Sequence, residues 1–419
     1  MKTNIKKFIN EKILRRKPKV KTGFKLIEVI ITMLITSTIG MILGASIIYV
    51  SLIDYNKCAC IDETKFDDNL KEIINTYNSV IENYYEEVDK TELSDSAIKA
   101  MLESLGDDYS TYMNHSETTS FLERMQGDYC GIGAEISTDS TGYAKVLKVF
   151  ADSPAQEVGL KQFDLIKKVN GDSIQGFQIS DVADKLKGPQ GTNVNIIIER
   201  DKKEIELTLT RRKITLPSIS KEIFKEGQKK IGYIKIDIFS NNTYTQFRDN
   251  LASLEKENID SLIIDVRDNS GGYLHRVSEI VSLFLPTDKI IYQLENRNGV
   301  EKIYSYTKES RDYPIVVLIN EYSASASEIL AAALKESYGA TLVGVNSLGK
   351  GTVQQTFDLE SGGMVKYTIQ KWLTPLGNWI HKKGITPGLK VEQSEKYYKE
   401  PTFKNDNQLQ KAIEHLKIK

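Results

Sequence analysis

The chain has 419 residues, and its 56 Lys and Arg nearly balance its 57 Asp and Glu, for a formal net charge of -1. That length suits two or three domains with a buried core. The balance leaves no basic surplus for neutralising phosphates, which argues against a nucleic-acid partner. Three cysteines, Cys58, Cys60 and Cys130, supply neither a disulfide framework nor metal-ligand spacing.

The charge is unevenly placed. Ten Lys and Arg crowd the stretch from Lys2 to Lys25, with Glu11 as its only acid. Val29 to Ile53 then carries no charge for 25 residues, which at about 1.5 Å each exceeds a hydrocarbon core of roughly 30 Å. Small residues at Gly44, Ala45 and Ser46 are followed by Ile47, Ile48, Tyr49 and Val50, so the apolar run outlasts the one candidate cleavage point. The expectation is a basic cytoplasmic segment (1–28), an uncleaved transmembrane signal anchor (29–53) and an extracytoplasmic remainder in the cell membrane's outer compartment. Gly23-Phe24-Lys25-Leu26-Ile27-Glu28 is also similar to the cleavage region of type IV prepilins, which would bear on delivery alone.

Residues 62–116 are expected to be helical. Phe66, Leu70, Ile73, Ile74, Tyr77, Val80 and Ile81 recur at three- and four-residue spacing, as do Ala97, Ile98, Met101, Leu102 and Leu105 before Gly106. From 117 to 212, short β-rich runs separated by Gly and Asn170-Gly171 predict a small barrel-like domain with a helix at Ile179 to Leu186. From 213 to 395, apolar β-branched runs (231–236, 261–266, 315–319, 341–345, 365–369) alternate with helical stretches (243–256, 274–285, 326–337). This is an α/β pattern with a mostly parallel, mixed sheet and flanking helices. Residues 396–419 read as a charged tail, helical from Asn407 to Leu416.

Four segments can carry chemistry, and each has an ordinary structural alternative. Ser325 in Ser323-Ala324-Ser325-Ala326-Ser327-Glu328 sits where a strand turns into a helix, near free N–H groups that suit an oxyanion. Ser325-x-x-Glu328 is equally a capping box. Lys350, between Gly349 and Gly351, is a general base if buried and neutral, or a solvated turn residue. Gly271 and Gly272 can aim amides at a ligand or simply make a βα turn. Gly131-Ile132-Gly133 can receive a terminal carboxylate beside a free strand edge, or be a plain turn.

Together these segments resemble the C-terminal processing peptidases, the tail-specific proteases that carry a PDZ domain. The matching stretches, from about residue 62 to 395, are GDDYSTYM (106–113), GIGAEI (131–136), DSPAQEVGL (152–160), DVRDNSGG (265–272), SASASEILAAAL (323–334), LGKGTVQ (348–354) and WLTPLGNWIHKKGITP (372–387). The resemblance implies a serine endopeptidase that cuts polypeptides near free C-termini. Its nucleophile would be Ser325, its general base Lys350 and the amide orienting that base Gln354. The backbone N–H groups of Ala326 and of Gly271 or Gly272 would form the oxyanion hole. Gly131, Ile132 and Gly133 would make the PDZ loop that holds the substrate tail. No metal or organic cofactor is implied, and a homodimer through the helical arm is. Two positions depart from the family. Val158-Gly159-Leu160-Lys161-Gln162-Phe163-Asp164 lacks the usual Pro-Gly turn, and Gly388 stands where Asp is usual.

Two rivals remain. A Ser-His-Asp hydrolase would have to recruit one of His115, His275, His381 and His415, with His275 after the double glycine, but no G-x-S-x-G elbow surrounds Ser325. A membrane-tethered PDZ scaffold with an inert protease domain would not need Ser325, Lys350 and Gln354 together.

Overall fold

The computed structural model describes residues 67–308 and 310–418. The uncharged span 29–53, the prepilin-like hexapeptide, Cys58 and Cys60 lie outside them. Among the described residues, no helix is long and apolar enough to cross a membrane. The chain divides into two compact units, residues 1–90 and 91–419. In the first, helix α1 (Asp68–Asn83) starts on the Asp67 carboxylate, which accepts from the Leu70 N–H at 2.8 Å. The helix buries no residue, and Leu70, Ile73 and Ile74 stay exposed.

The second unit opens within α2 (Lys90–Glu103). The expected helical region does not run on to 116. Gly106 turns the chain at a φ of 62°, and strand β1 (Thr111–Met113) follows. Helix α3 (His115–Gln126) is closed by an Asn114–Glu117 capping box at its start and by left-handed Gly127 at its end.

A β-rich domain comes next: β2 (Asp128–Gly131), β3 (Ala134–Thr138), β4 (Ala144–Val149), the short α4 (Pro154–Glu157), β5 (Leu165–Val169), β6 (Asp172–Ser173), α5 (Ile179–Leu186), β7 (Asn193–Arg200), β8 (Lys203–Thr210) and β9 (Arg212–Thr215). The main sheet has the order β3-β4-β5-β7-β8, which leaves β3 at an edge, while β2 and β9 pair separately. Val194, Ile196 and Ile198 alternate inward on β7 and meet Val146, Ile166 and Leu209, none of them exposed. The missing Pro-Gly turn has a visible consequence. Phe163 takes the left-handed conformation, φ 73°, which a bulky side chain adopts at a cost. The turn holds its shape because neighbouring Asp164 is buried in a forked pairing with Arg200, 2.7 and 2.6 Å.

The remainder forms β10 (Ile219–Glu226), β11 (Lys229–Ile236), α6 (Thr243–Lys256), β12 (Ser261–Asp265), α7 (Leu274–Ser282), β13 (Ile290–Asn296), β14 (Gly299–Tyr304), β15 (Ile315–Ile319), α8 (Ala326–Ala333), β16 (Thr341–Gly344), β17 (Thr352–Asp358), β18 (Met364–Leu373), β19 (Leu389–Lys390), α9 (Glu395–Lys399) and α10 (Asn407–Ile418). A six-stranded sheet runs β10-β11-β12-β15-β16-β19, parallel except for the hairpin partner β10. Both of its faces are covered. Ile234, Leu262, Ile264, Val317 and Ile319 meet α6, α7 and α8, while Tyr233, Ile263, Val316 and Leu318 meet α10. The presumed charged tail therefore completes the core, through buried Leu409, Ala412, Ile413 and Leu416. Its alternating Lys and Glu hide that stripe from a composition reading. The 365–369 run also differs from expectation. It belongs to β18, in a separate antiparallel sheet with β1, β13, β14 and β17. Its half-buried, alternating pattern suits a hairpin with one face toward solvent.

Candidate active site

β12, β15 and β16 lie side by side and parallel, so their carboxyl ends deliver three loops to one place. The loop after β15 carries Ser325, whose φ of 53° and ψ of -114° are strained for a residue with a side chain. Its surroundings over-determine that conformation. Ser323 Oγ donates to the Val266 carbonyl at 2.8 Å, and the Ala324 N–H and Ser327 Oγ donate to the Asn269 carbonyl at 3.0 and 2.8 Å. Asn320 and Asp268 exchange two hydrogen bonds across the same loops.

Fully buried Glu328 joins this loop to the lysine loop. Its carboxylate accepts from the Ser325 N–H (2.8 Å), the Lys350 N–H (2.9 Å), the Gly349 N–H (2.7 Å) and Ser347 Oγ (2.6 Å). Burial pushes its carboxyl above the usual range, against these four hydrogen bonds, which favour the charge. Gly349 has to be glycine, since φ is 89° and a Cβ would lie 2.7 Å from the Gly384 nitrogen. The Lys350 carbonyl is held by the Trp372 indole at 2.7 Å.

Ser325, Lys350, Gln354, Gly271, Gly272 and His275 line one cavity of about 520 Å³. The Lys350 amine lies 4.7 Å from the centre of the Tyr109 ring. Burial, helped by repulsion from Lys366, lowers its pKa to about 8, while Asp107 and Glu328 pull the other way. A partly desolvated amine that opens into the same cavity as a serine supplies the two groups that general-base activation needs. The Gln354 amide nitrogen donates to Thr352 Oγ1 at 2.9 Å and to Thr368 Oγ1 at 3.0 Å.

Of the glycine pair, Gly271 packs closest to the serine. A Cβ there would lie 2.9 Å from Ser325 Cβ and 3.1 Å from the Ala326 nitrogen. Its own N–H, however, is spent on Asn269 Oδ1 at 2.8 Å, so it is not an oxyanion donor. Among the described residues, the Gly272 N–H has no such partner. The chain bridges to Phe239 through its two neighbours, as the Phe239 N–H donates to the Gly271 carbonyl and the Tyr273 N–H to the Phe239 carbonyl. His275 is exposed, its ring tilted on Tyr273, and among the described residues no hydrogen bond joins it to an acid. The Ser-His-Asp rival therefore lacks its orienting group.

A second cavity, of about 420 Å³, lies between edge strand β3 and helix α5. Ile132, Ala134, Ile136, Ala183 and Leu186 give it an apolar lining. Ile132 is buried, and Gly133 turns at a φ of 81° where a Cβ would sit 2.3 Å from Ser153 Cβ. Gly131 pairs with Arg212 in the β2–β9 ribbon and does not line the groove.

The sequence matches the family described as Peptidase family S41 over residues 230–391, the CtpB N-terminal domain of an activating protease over 41–118, and a PDZ domain over 145–200. It is 39% identical over 334 residues to the carboxy-terminal processing protease CtpB of Bacillus subtilis, covering 79% of this chain and 69% of that one. To CtpA of the same organism it is 37% identical over 361 residues, covering 86% and 76%. The chain belongs to peptidase family S41. A solved photosystem II D1 C-terminal processing protease is 25% identical, with a TM-score of 0.45 over 78% of this chain and 94% of that one.

This S41 peptidase is thus a serine-type enzyme of the carboxy-terminal processing group, with a mixed α/β core and a PDZ domain. Sequence reasoning picked out Ser325, Lys350 and Gln354, which share one cavity, but it gave no part to Glu328 beyond a helix cap. It also passed over Asp107, Tyr109 and Thr368. The only signal for the first two was their place in the GDDYSTYM stretch.

Proposed function

We propose that this peptidase cleaves polypeptides near their C-termini with Ser325 as nucleophile and Lys350 as general base. The observation that carries this reading is the half-buried Lys350, its amine's pKa lowered to about 8, opening into the same cavity as strained Ser325. Ser325 Oγ attacks the scissile carbonyl and passes its proton to Lys350 Nζ. The Ala326 and Gly272 N–H groups take the developing negative charge. Collapse breaks the C–N bond, and Lys350 returns the proton to the leaving amine. Water, deprotonated by the same amine, then releases the acid and restores Ser325.

The groove between β3 and α5 holds the substrate's apolar tail as an added strand, with the free carboxylate at the Gly131-Ile132-Gly133 turn. The span 29–53 anchors the chain in the cell membrane, with the catalytic unit extracytoplasmic. A second copy covers the Leu70, Ile73 and Ile74 stripe of α1 in a homodimer, which sedimentation of a Leu70→Glu variant tests. Mass spectrometry of the mature N-terminus separates an intact anchor from prepilin-type processing after Gly23.

The decisive experiment incubates the full-length protein in detergent with an unstructured polypeptide ending in apolar residues. Cleavage should disappear in Ser325→Ala and in Lys350→Met, and should weaken when the substrate C-terminus is amidated. An active Lys350→Met enzyme would remove the dyad. Equal cleavage of free and amidated tails would remove the PDZ gating, and no cleavage by the unaltered protein would leave the scaffold reading.

A further inference from the structure

The orientation of Gln354 is set from a distant part of the chain. Its amide nitrogen donates to Thr368 Oγ1 at 3.0 Å, and Thr368 Oγ1 donates to Asp107 Oδ2 at 2.6 Å. A hydroxyl has one proton, and an ionised carboxylate can only accept. With its proton given to Asp107, Thr368 can only accept from Gln354. The amide nitrogen must therefore face Thr368, which leaves the amide carbonyl oxygen as the end free for the lysine.

Asp107 is kept charged for this task. Burial opposes the charge, but donations from Ser110 Oγ (2.6 Å), Thr368 Oγ1 (2.6 Å) and the Tyr109 N–H (3.2 Å) outweigh it and hold the carboxyl below its usual range. Two residues on, the Tyr109 ring faces the Lys350 amine at 4.7 Å. The segment is latched to the strand bearing Thr368, whose N–H donates to Ser110 Oγ at 3.1 Å.

We propose that Asp107 is a positioning residue for the Ser325/Lys350 dyad, polarising through Thr368 a hydrogen-bond chain that turns the Gln354 carbonyl oxygen toward the Lys350 amine. This rests on the dyad reading above. An accepting oxygen there steadies Lys350 once it carries the proton taken from Ser325, when the amine must be held for delivery to the leaving group. A latch that merely fastens β1 to β18 would leave the chemistry untouched.

The test uses the full-length protein in detergent and a quenched peptide with a free C-terminus, with kcat and KM followed across pH. Thr368→Val removes the relay but keeps the shape and the Asp107 charge. It should lower kcat about 10- to 100-fold, as expected for a hydrogen bond to a charged group, and change KM by less than about threefold. Thr368→Ser should recover most of that loss. Asp107→Asn should lower kcat similarly, and the Asp107→Asn/Thr368→Val pair should be no worse than either alone. Asp107→Asn should also move the rising limb of the pH profile to lower pH, and further than Thr368→Val, which loosens the Gln354 acceptor but keeps the Asp107 charge. The limb belongs to Lys350, which Asp107 and Glu328 favour as the cation and Lys366 disfavours, with Arg124 and His275 in the same cavity. A wild-type kcat in Thr368→Val, a Thr368→Ser as slow as Thr368→Val, or additive losses in the pair overturn the relay. An inactive Lys350→Met beside a fully active Thr368→Val rejects the relay and leaves the dyad standing. An active Lys350→Met rejects the dyad itself.

Discussion

Replacing Glu328 by Gln tests whether one buried carboxylate assembles the site. Oε2 accepts from the Ser325 and Lys350 N–H groups, and Oε1 from the Gly349 N–H and Ser347 Oγ. An amide keeps one of these oxygens and turns the other into a donor. If Oε2 is lost, two backbone N–H groups face an NH2. If Oε1 is lost, Ser347 can rotate to accept, but the Gly349 N–H is stranded. One or two buried donors are therefore left unpaired, at about 1–3 kcal/mol each. A total of about 1–6 kcal/mol corresponds to roughly a fivefold or greater loss of the assembled arrangement. The charge effect has the opposite sign. Glu328 favours protonated Lys350, so its removal alone would free the base at lower pH. A fall in kcat on the alkaline plateau is then geometric. The assay is kcat at saturating peptide well above pH 8, with denaturant unfolding run in parallel. A plateau kcat within about threefold of wild type, with an unchanged unfolding midpoint, would falsify the role given to Glu328.

Because burial lowers the Lys350 pKa to about 8, the neutral base is scarce below that pH. The value of kcat/KM should climb about tenfold per unit at acid pH and level off above about 8, and Lys350→Arg, which cannot deprotonate, should be inactive throughout. Asp406→Ala strips buried Arg267 of contacts at 3.0 and 2.7 Å, leaving Asp265 and Gln408 as its partners. It should cost about 3–5 kcal/mol in chemical denaturation without moving the pH profile. Phe163→Gly should relieve the left-handed turn and raise stability by about 1 kcal/mol, net of the lost contact with Lys145 at 4.8 Å.

The elements legible from the sequence are those whose signal is local. β15 is a solid apolar run, and α6 begins and ends where its periodicity does. The Gly271-Gly272, Ser325 and Lys350 loops announce themselves by residue type. Glu328 announces only half its role. Its bond to the Ser325 N–H is a three-residue cap, whereas its bonds to Gly349 and Lys350 exist because β16 lies beside β15. Asp107 and Thr368 give still less. A Thr on an alternating strand looks like a solvent-facing residue, and an Asp after Gly106 looks like a turn.

The strand order accounts for the difference. Were the chain to pair its strands in sequence, β13 and β14 would separate the β12 loop from the β15 loop. Instead they leave for the second sheet, and β12 meets β15 directly. That single topological step sets the free Gly272 amide beside the serine loop. It also places β18, the other long strand of the second sheet, where Thr368 can face both Gln354 across the β17–β18 hairpin and Asp107 from the segment before β1. The cavity is then lined from two sheets: Ser325 and Gly272 from loops of the parallel one, and Gln354 from a strand of the antiparallel one. Shifting the second sheet by even one register would move Thr368 to the opposite face of its strand and break the chain to Asp107 while leaving Ser325 where it is.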